Sequence, residues 1–163
     1  MPGLILMFSP RQMEKAMGLD GISNRLLEFS PHHPRLMNLR EIDRPVFEGN
    51  NFEFVKEGQA WTGISKDKLY VCFGFHLLWD GVAEAWLIPD RDLGKKRHVW
   101  HRASLKWFDF IAKELLLWRF QAHVCSDNSL ADRWISSVLF KKEGLCKRYG
   151  PDCRDYSIYG RLF

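Results

Sequence analysis

The sequence predicts a mixed α/β (α+β) domain whose mostly antiparallel sheet of six to seven strands contains one parallel pair and is flanked by helices. Three observations predict this class. The middle of the chain holds three β-rich runs separated by short turns, an amphipathic helix follows them, and a strand, a helix and a hairpin complete the last third. A length of 163 residues, of which 46% are hydrophobic, suits one domain with its own core.

The first predicted element is a short helix near the start of the chain. Ser9 and Gln12 have the spacing of a capping box, and Pro10 occupies the first helical position. The helix should therefore run to about Met17 and end at Gly18.

The next segment, residues 21–57, carries weaker signals. Prolines flank His32 and His33, and because no cysteine or carboxylate lies at ligand spacing, a solvated loop is favoured over a metal site. A short first strand is expected at residues 36–39, and a broken helical turn at residues 41–49.

The middle of the chain predicts a β-meander followed by a crossover. Residues 60–65, 69–75 and 82–89 are β-rich runs separated by polar turns, so three antiparallel strands are expected. Residues 100–118 place their apolar side chains on one helical face. Because a strand, a helix and a further strand form a crossover unit, the strands at 82–89 and 118–125 should be parallel neighbours.

The last third predicts a strand, a helix and a closing hairpin. The aromatic and β-branched run at residues 118–125 is followed by a helix for which Asn128 or Ser129 can provide the cap. Residues 144–161 contain two short segments around a Gly-Pro-Asp turn, as an antiparallel hairpin requires.

This order of elements resembles the C-terminal half of the GNAT superfamily of N-acetyltransferases. Asn128 and Ala131 match the family's Asn-x-x-Ala on a helix, and Leu139-Phe140 stands where Gly-Phe is usual. The ending EGLCKRYGPDCRDYSIYGR is similar to the GNAT-like proteins encoded by tailed bacteriophages, and this second resemblance is the stronger. It implies an N-terminal extension with a short helix at residues 1–33 and a single GNAT-like domain at residues 34–163.

The resemblance implies acetyl-CoA as co-substrate and no metal. In GNAT proteins the parallel strands splay apart, and backbone groups of the earlier strand bind the pantetheine arm. The family's pyrophosphate loop, Gln/Arg-x-x-Gly-x-Gly/Ala, is matched at its first and fourth positions, while Lys96 replaces the small residue. A solvated basic loop is an equally good interpretation of this segment. The candidate cofactor-binding residues are Trp86, Leu87, Ile88, Arg91, Gly94, Lys95, Lys96, Arg97 and Asn128.

Acetyl transfer needs a base for the acceptor amine and a proton donor for the leaving thiolate. Glu84 is the candidate base, because burial in an apolar strand makes a carboxylate a better proton acceptor. A salt-bridged or solvent-facing strand residue is the alternative. The usual tyrosine of the family falls at Ile135, which cannot donate a proton. Tyr149, Tyr156 or Tyr159 could replace it, and His76 and His123 are further proton carriers. The candidate catalytic residues are Glu84, Tyr149 and Tyr159.

Composition argues against nucleic acid and membranes as binding partners. The net charge of +4 arises from mixed acidic and basic residues, which does not indicate a nucleic-acid-binding protein. The basic stretch at 94–102 resembles a stacking groove only superficially, because Trp100 and Trp107 fall on the amphipathic helix. The four cysteines form no CxxC pair, and the short apolar N-terminus cannot span a membrane.

The resemblance leaves two functions open. The first is acetyl-CoA-dependent transfer to an amine of a small molecule or a protein. The second is a non-catalytic phage structural or assembly role in which the protein binds other virion proteins. A phage-encoded protein would lie in the host cytoplasm or in the virion. Oligomeric state is not predicted, and the acceptor pocket is expected from residues 1–57.

Overall fold

The computed structural model describes residues 7–48 and 58–163. The helices are α1 (Pro10–Met17), α2 (His33–Leu36), α3 (Pro45–Glu48), α4 (Arg97–Glu114) and α5 (Ser129–Ser137). The strands are β1 (Asn24–Glu28), β2 (Gly58–Ser65), β3 (Lys68–Trp79), β4 (Val82–Pro89), β5 (Arg119–Cys125), β6 (Lys141–Cys146) and β7 (Tyr156–Leu162). A short 3-10 helix, Leu93–Lys96, leads directly into α4.

The described strands form one sheet in the order β1-β2-β3-β4-β5-β7-β6. β4 and β5 run parallel, and every other neighbouring pair in this sheet is antiparallel. The predicted fold class is therefore confirmed, including the single parallel pair that the crossover through α4 creates.

The first helix follows its sequence signals closely. The side chain of Ser9 accepts a hydrogen bond from the Gln12 amide, and Gln12 returns one to the Ser9 amide, which completes the capping box. Gly18 ends the helix in the left-handed region with φ of 70°, where a residue without Cβ is least strained.

The strand predicted at residues 36–39 is wrong. Residues 33–36 form the helical turn α2, with Pro34 in its first turn, where proline's missing N–H costs nothing. The first strand is β1, which pairs with β2 over five residues. The helical turn predicted at residues 41–49 is present as α3, and residue 49 lies outside the described chain.

The main core lies on the face of the sheet that α1, α4 and α5 cover. Trp107 and Phe108 of α4 pack against Phe120 of β5, with ring centroids 5.7 and 5.2 Å apart. Phe120 is fully buried, and burial of such a side chain contributes about 1.5–3 kcal/mol to stability. Residues 83 and 85 of β4 belong to this core as well.

A smaller apolar cluster covers part of the opposite face. Met37 and Leu39, which follow α2, pack against Cys72 and Ile88 of the sheet, and Trp86 lies at the edge of the cluster. The chain between β1 and β2 therefore crosses the face that the main core does not use. The remainder of that face carries the polar residues of the candidate site.

Candidate functional site

The parallel pair β4 and β5 separates soon after it forms. Its register covers three pairs, Val82–Arg119, Ala83–Phe120 and Glu84–Gln121. On its other side β4 continues to pair with β3 as far as Pro89. In the described chain, the β4 edge that faces β5 therefore has no strand partner after Glu84. The backbone groups of an unpaired edge need hydrogen-bonding partners.

Trp86, Leu87 and Ile88, the residues predicted to hold a pantetheine arm, lie along this unpaired edge. Their side chains alternate between the two faces. Ile88 is fully buried in the smaller cluster, whereas Leu87 packs against the main core. Trp86 packs edge-on against Phe29, with ring centroids 5.5 Å apart. The side chains of this edge are thus packed among apolar residues on both faces of the sheet.

Glu84 lies at the start of the opening, on the face opposite the main core. Strand alternation turns the Glu84 side chain away from the main core, because its neighbours Ala83 and Ala85 are buried in that core. Glu84 is flanked by two imidazoles. His123 Nδ1 lies 2.5 Å from Glu84 Oε1, and His76 Nε2 lies 3.8 Å from Glu84 Oε2. The three side chains are 13–19% exposed, so the cluster is largely buried but open to solvent.

Tyr149 joins this cluster from the loop after β6. Its ring stacks on the imidazole of His123, with centroids 4.4 Å apart and planes 11° apart. Burial raises the pKa of Tyr149, and the charges of Glu84 and Cys146 raise it further. The phenol therefore stays protonated at neutral pH, as a proton donor must be.

Tyr159 lies elsewhere. It pairs with Ala122 across β5 and β7, on the face of the main core, and it is almost completely buried. Its hydroxyl donates a hydrogen bond to the carboxylate of Asp132 on α5. The structure therefore does not bring Tyr159 to Glu84, and the burial of Ile135 in the same core leaves Tyr149 as the tyrosine beside the opening.

Tyr156 packs next to Tyr149, with ring centroids 5.5 Å apart. Burial raises its pKa to about 12. Its partners in the sheet are Cys125 of β5 and Cys146 of β6, so Tyr156 forms part of the wall behind Tyr149.

The candidate phosphate loop is the segment between β4 and α4. Gly94 is exposed, and a Cβ added there would meet nothing within 4 Å, so the backbone is accessible from outside. α4 begins without a side-chain cap and without an acidic residue in its first turn. Lys95, Lys96 and Arg97 instead surround its N-terminus, where basic residues oppose the helix dipole and an anion would be stabilised.

Asp90 and Asp92 hold this loop to the rest of the sheet. The buried Asp90 carboxylate accepts hydrogen bonds from the amides of Asn38 and Asp92, each at 2.8 Å. Lys68 of β3 lies 3.1 Å from Asp90 and 2.6 Å from Asp92. Lys95 also pairs with Asp92 at 2.9 Å, so the acidic charge in the loop is balanced by two lysines. Arg91 is exposed, and its amide donates to the Asn38 carbonyl at 2.8 Å.

Asn128 uses its whole side chain within the protein. Its Oδ1 accepts a hydrogen bond from the Ala131 amide at 3.1 Å and so caps α5, as predicted. Its Nδ2 donates to Asp43 Oδ1 at 3.1 Å. Asp43 is in turn paired with Arg40 at 2.8 Å. The residue therefore fastens the segment around Asp43 to the start of α5.

The sequence identified His76 and His123 as further proton carriers, but it did not place either of them beside Glu84. His76 lies directly across from Glu84 in the antiparallel register, and His123 lies two residues beyond the last β4–β5 pair. A correct register between β3 and β4 would have placed His76 beside Glu84. The position of His123 depends in addition on where the parallel strands separate. Among the residues described, no group of three or more His, Cys, Asp or Glu side chains is arranged to hold a metal ion, and no helix is long and apolar enough to cross a membrane.

No protein-family model matches the chain, and no curated protein matches its sequence. Solved structures do match its fold. A GNAT-family acetyltransferase from Bacillus anthracis is 17% identical and superposes with a TM-score of 0.65, over 86% of this chain and 95% of the other. The ribosomal-protein-S5-alanine acetyltransferase from Vibrio fischeri is 12% identical, with a TM-score of 0.61 over 86% and 93% of the chains.

A third similar structure contains ligands. The microcin C7 self-immunity acetyltransferase MccE, solved in complex with acetyl-CoA and AMP, is 14% identical and has a TM-score of 0.61 over 86% of this chain and 93% of the other. At these identities the similarity establishes the fold. The chain therefore has the fold of the GNAT acetyltransferases.

Proposed function

We propose that this protein transfers the acetyl group of acetyl-CoA to a primary amine of a small molecule or protein. The observation that carries the proposal is the opening between β4 and β5, which begins at the Glu84–Gln121 pair. It combines an unpaired backbone edge with a carboxylate, two imidazoles and a phenol at its start. A binding cleft and proton-transferring groups thus meet at one place.

Acetyl-CoA would lie with its pantetheine arm along Trp86, Leu87 and Ile88, adding hydrogen bonds to the edge as a further strand would. Its phosphates would lie at the N-terminus of α4. The backbone is accessible there at the exposed Gly94, and Lys96 and Arg97 supply positive charge. In this arrangement the thioester end of the cofactor would lie toward Glu84.

The chemistry is the attack of an amine on a thioester carbonyl. Glu84 is the carboxylate on which deprotonation of the amine depends, and Tyr149 is the donor that reprotonates the leaving thiolate. The MccE structure holds acetyl-CoA in the same fold, which supports this cofactor. The interactions of Asn128 within the protein favour a capping role over contact with the cofactor.

Isothermal titration calorimetry with acetyl-CoA tests the proposal. We expect a Kd in the micromolar range, which corresponds to about −8 kcal/mol at 1 µM. Glu84→Gln should slow turnover without abolishing this binding, because the carboxylate lies at the thioester end of the opening. A Lys96→Ala/Arg97→Ala variant should weaken binding, and more so at low salt. If acetyl-CoA produced no heat of binding and no thermal shift, the enzyme proposal would be refuted.

The phage-encoded origin, and with it a place in the host cytoplasm or in the virion, rests on the C-terminal sequence motif alone. The non-catalytic assembly role gains no support from the structural relatives, which are described as acetyltransferases. Calorimetry separates the two functions, because a purely structural virion component has no need to bind acetyl-CoA.

A further inference from the structure

Glu84 and His123 form a carboxylate–imidazole pair in which one ring nitrogen, Nδ1, is hydrogen-bonded to the carboxylate. His123 Nδ1 lies 2.5 Å from Glu84 Oε1. With an ionised carboxylate as partner, the nitrogen that faces it carries the hydrogen. The neutral imidazole then has its lone pair on Nε2. The atom of this pair that can accept a further proton is therefore on the histidine.

The remaining nitrogen of His123 is accessible. Nε2 makes no hydrogen bond to the described residues, and the side chain retains 13% exposure. Tyr149 stacks on the face of the ring and restricts its rotation. His123 also lies two residues past Gln121, the last residue of β5 that pairs with β4. Its imidazole therefore sits where the two strands have begun to separate.

Glu84 is well placed to orient the imidazole of His123 and less well placed to take a proton from the substrate itself. One carboxylate oxygen bonds His123, and the other lies 3.8 Å from Nε2 of His76 on β3. The carboxylate is thus hydrogen-bonded to an imidazole of one neighbouring strand and lies close to an imidazole of the other. Such a carboxylate can fix the tautomer of the histidine and stabilise an imidazolium when it forms.

We propose that His123 is the catalytic residue that takes the proton from the acceptor amine, and that Glu84 is a positioning residue that acts through it. This inference rests on the proposed acetyl transfer and assigns a role within it. It differs from the interpretation in which the Glu84 carboxylate removes the proton directly.

The step balances with the groups present. The amine nitrogen attacks the thioester carbonyl carbon, so a C–N bond forms and the C–S bond breaks. The amine proton moves to His123 Nε2, and the phenol of Tyr149 gives its proton to the thiolate. The imidazolium then returns its proton through water to the tyrosinate, which restores both residues. The products are the acetylated amine and free CoA.

Chemical rescue tests the assignment. His123→Ala should lower kcat by roughly 100-fold or more, the range of general base catalysis, and added imidazole should restore part of the rate. His76→Ala is the matched control, because it removes an imidazole from the other side of Glu84 and imidazole should not rescue it. Glu84→Gln should be slower than wild type and insensitive to imidazole. A Glu84→Gln variant without activity beside a His123→Ala variant that keeps its rate would overturn the proposal.

A spectroscopic measurement is independent of acetyl transfer. In ¹⁵N-correlated spectra of the imidazoles, the His123 signals, identified by their loss in His123→Asn, should show the Nδ1–H tautomer. Glu84→Gln should shift this ring toward a mixture of tautomers. If the wild type showed the Nε2–H tautomer, the proposed roles of His123 and Glu84 would be overturned, whatever the measured activity. The Nδ1–H tautomer in a protein that binds acetyl-CoA but acetylates no amine would instead refute the proposed function.

Discussion

The imidazole of His123 and the phenol of Tyr149 lie parallel, with centroids 4.4 Å apart, so a residue of a loop restrains a residue of the sheet. Replacing Tyr149 by phenylalanine should keep the stacked ring and remove only the hydroxyl. If Tyr149 reprotonates the thiolate, kcat should fall roughly 100-fold while the KM for acetyl-CoA changes little. Steady-state kinetics with a thiol-detecting reagent measures both constants.

Tyr149→Ala is the companion variant. It removes the stacking as well as the hydroxyl, so the imidazole of His123 should become mobile and kcat should fall further than in Tyr149→Phe. Equal rates in the wild type and in Tyr149→Phe would show that the thiolate takes its proton from another donor. Equal losses in the two variants would show that the stacking has no catalytic consequence.

A second prediction concerns Asp90, the buried anchor of the candidate phosphate loop. Asp90→Ala should lower the free energy of unfolding by about 2–4 kcal/mol, because the amides of Asn38 and Asp92 lose their acceptor. Urea denaturation measures the change. Asp92→Ala is the control, since the Asp92 side chain is 32% exposed whereas that of Asp90 is 1% exposed, and it should cost much less than Asp90→Ala. Equal losses in the two variants would contradict the assigned role of Asp90.

Local signals predicted most of the sheet and little of its first strand. The meander, the crossover and the capping of α5 all follow from periodicity and turn residues that lie close together in the sequence. β1 has only one buried side chain, Leu26, so it carries no alternating pattern. Its five pairs with β2 form because the later chain runs alongside β1. This long-range pairing cannot be recognised from the sequence of β1 alone.

In the candidate site too, local sequence predicted some residues, while others depend on long-range strand pairing. Glu84 could be recognised because an acid within an apolar strand is unusual. His123 was one of two histidines predicted as proton carriers, but it could not be placed beside Glu84. Its distance from Glu84 depends on the register across two strands and on where they separate. Tyr159 seemed equivalent to Tyr149 in sequence, yet strand alternation turns it to the opposite face, where Asp132 accepts its hydrogen bond.

The third prediction separates two roles for Asn128. If it is a cap, Asn128→Ala should destabilise the protein by about 1–2 kcal/mol, because both Ala131 and Asp43 lose a partner. The acetyl-CoA affinity should change little. Asn128→Ser should retain most of the stability, since serine also caps helices well. Asn128→Asp should keep the cap but bring a second carboxylate to Asp43, and should be less stable than the wild type.

Chemical denaturation of these three variants, with calorimetry against acetyl-CoA, measures both quantities. A large loss of affinity in Asn128→Ser with unchanged stability would show instead that the amide contacts the cofactor.

The last prediction is the pH dependence of stability that Tyr156 confers. Burial, and secondarily the charges of Cys125 and Asp152, raise the pKa of Tyr156 to about 12, above the ordinary value of 10.0. A raised pKa means that the folded state favours the protonated phenol. The contribution of this phenol is thus fully present below pH 10 and is lost as the pH rises from 10 to about 12.

Tyr156→Phe carries no ionisable group at this position and should escape that loss. The two proteins should have similar unfolding free energies at pH 8, and the variant should become the more stable one at pH 11. The other tyrosines and the lysines titrate in both proteins, so the difference between the two denaturation curves isolates Tyr156. A parallel decline of both proteins between pH 8 and pH 11 would mean that the Tyr156 phenol ionises as readily in the folded chain as in the unfolded one.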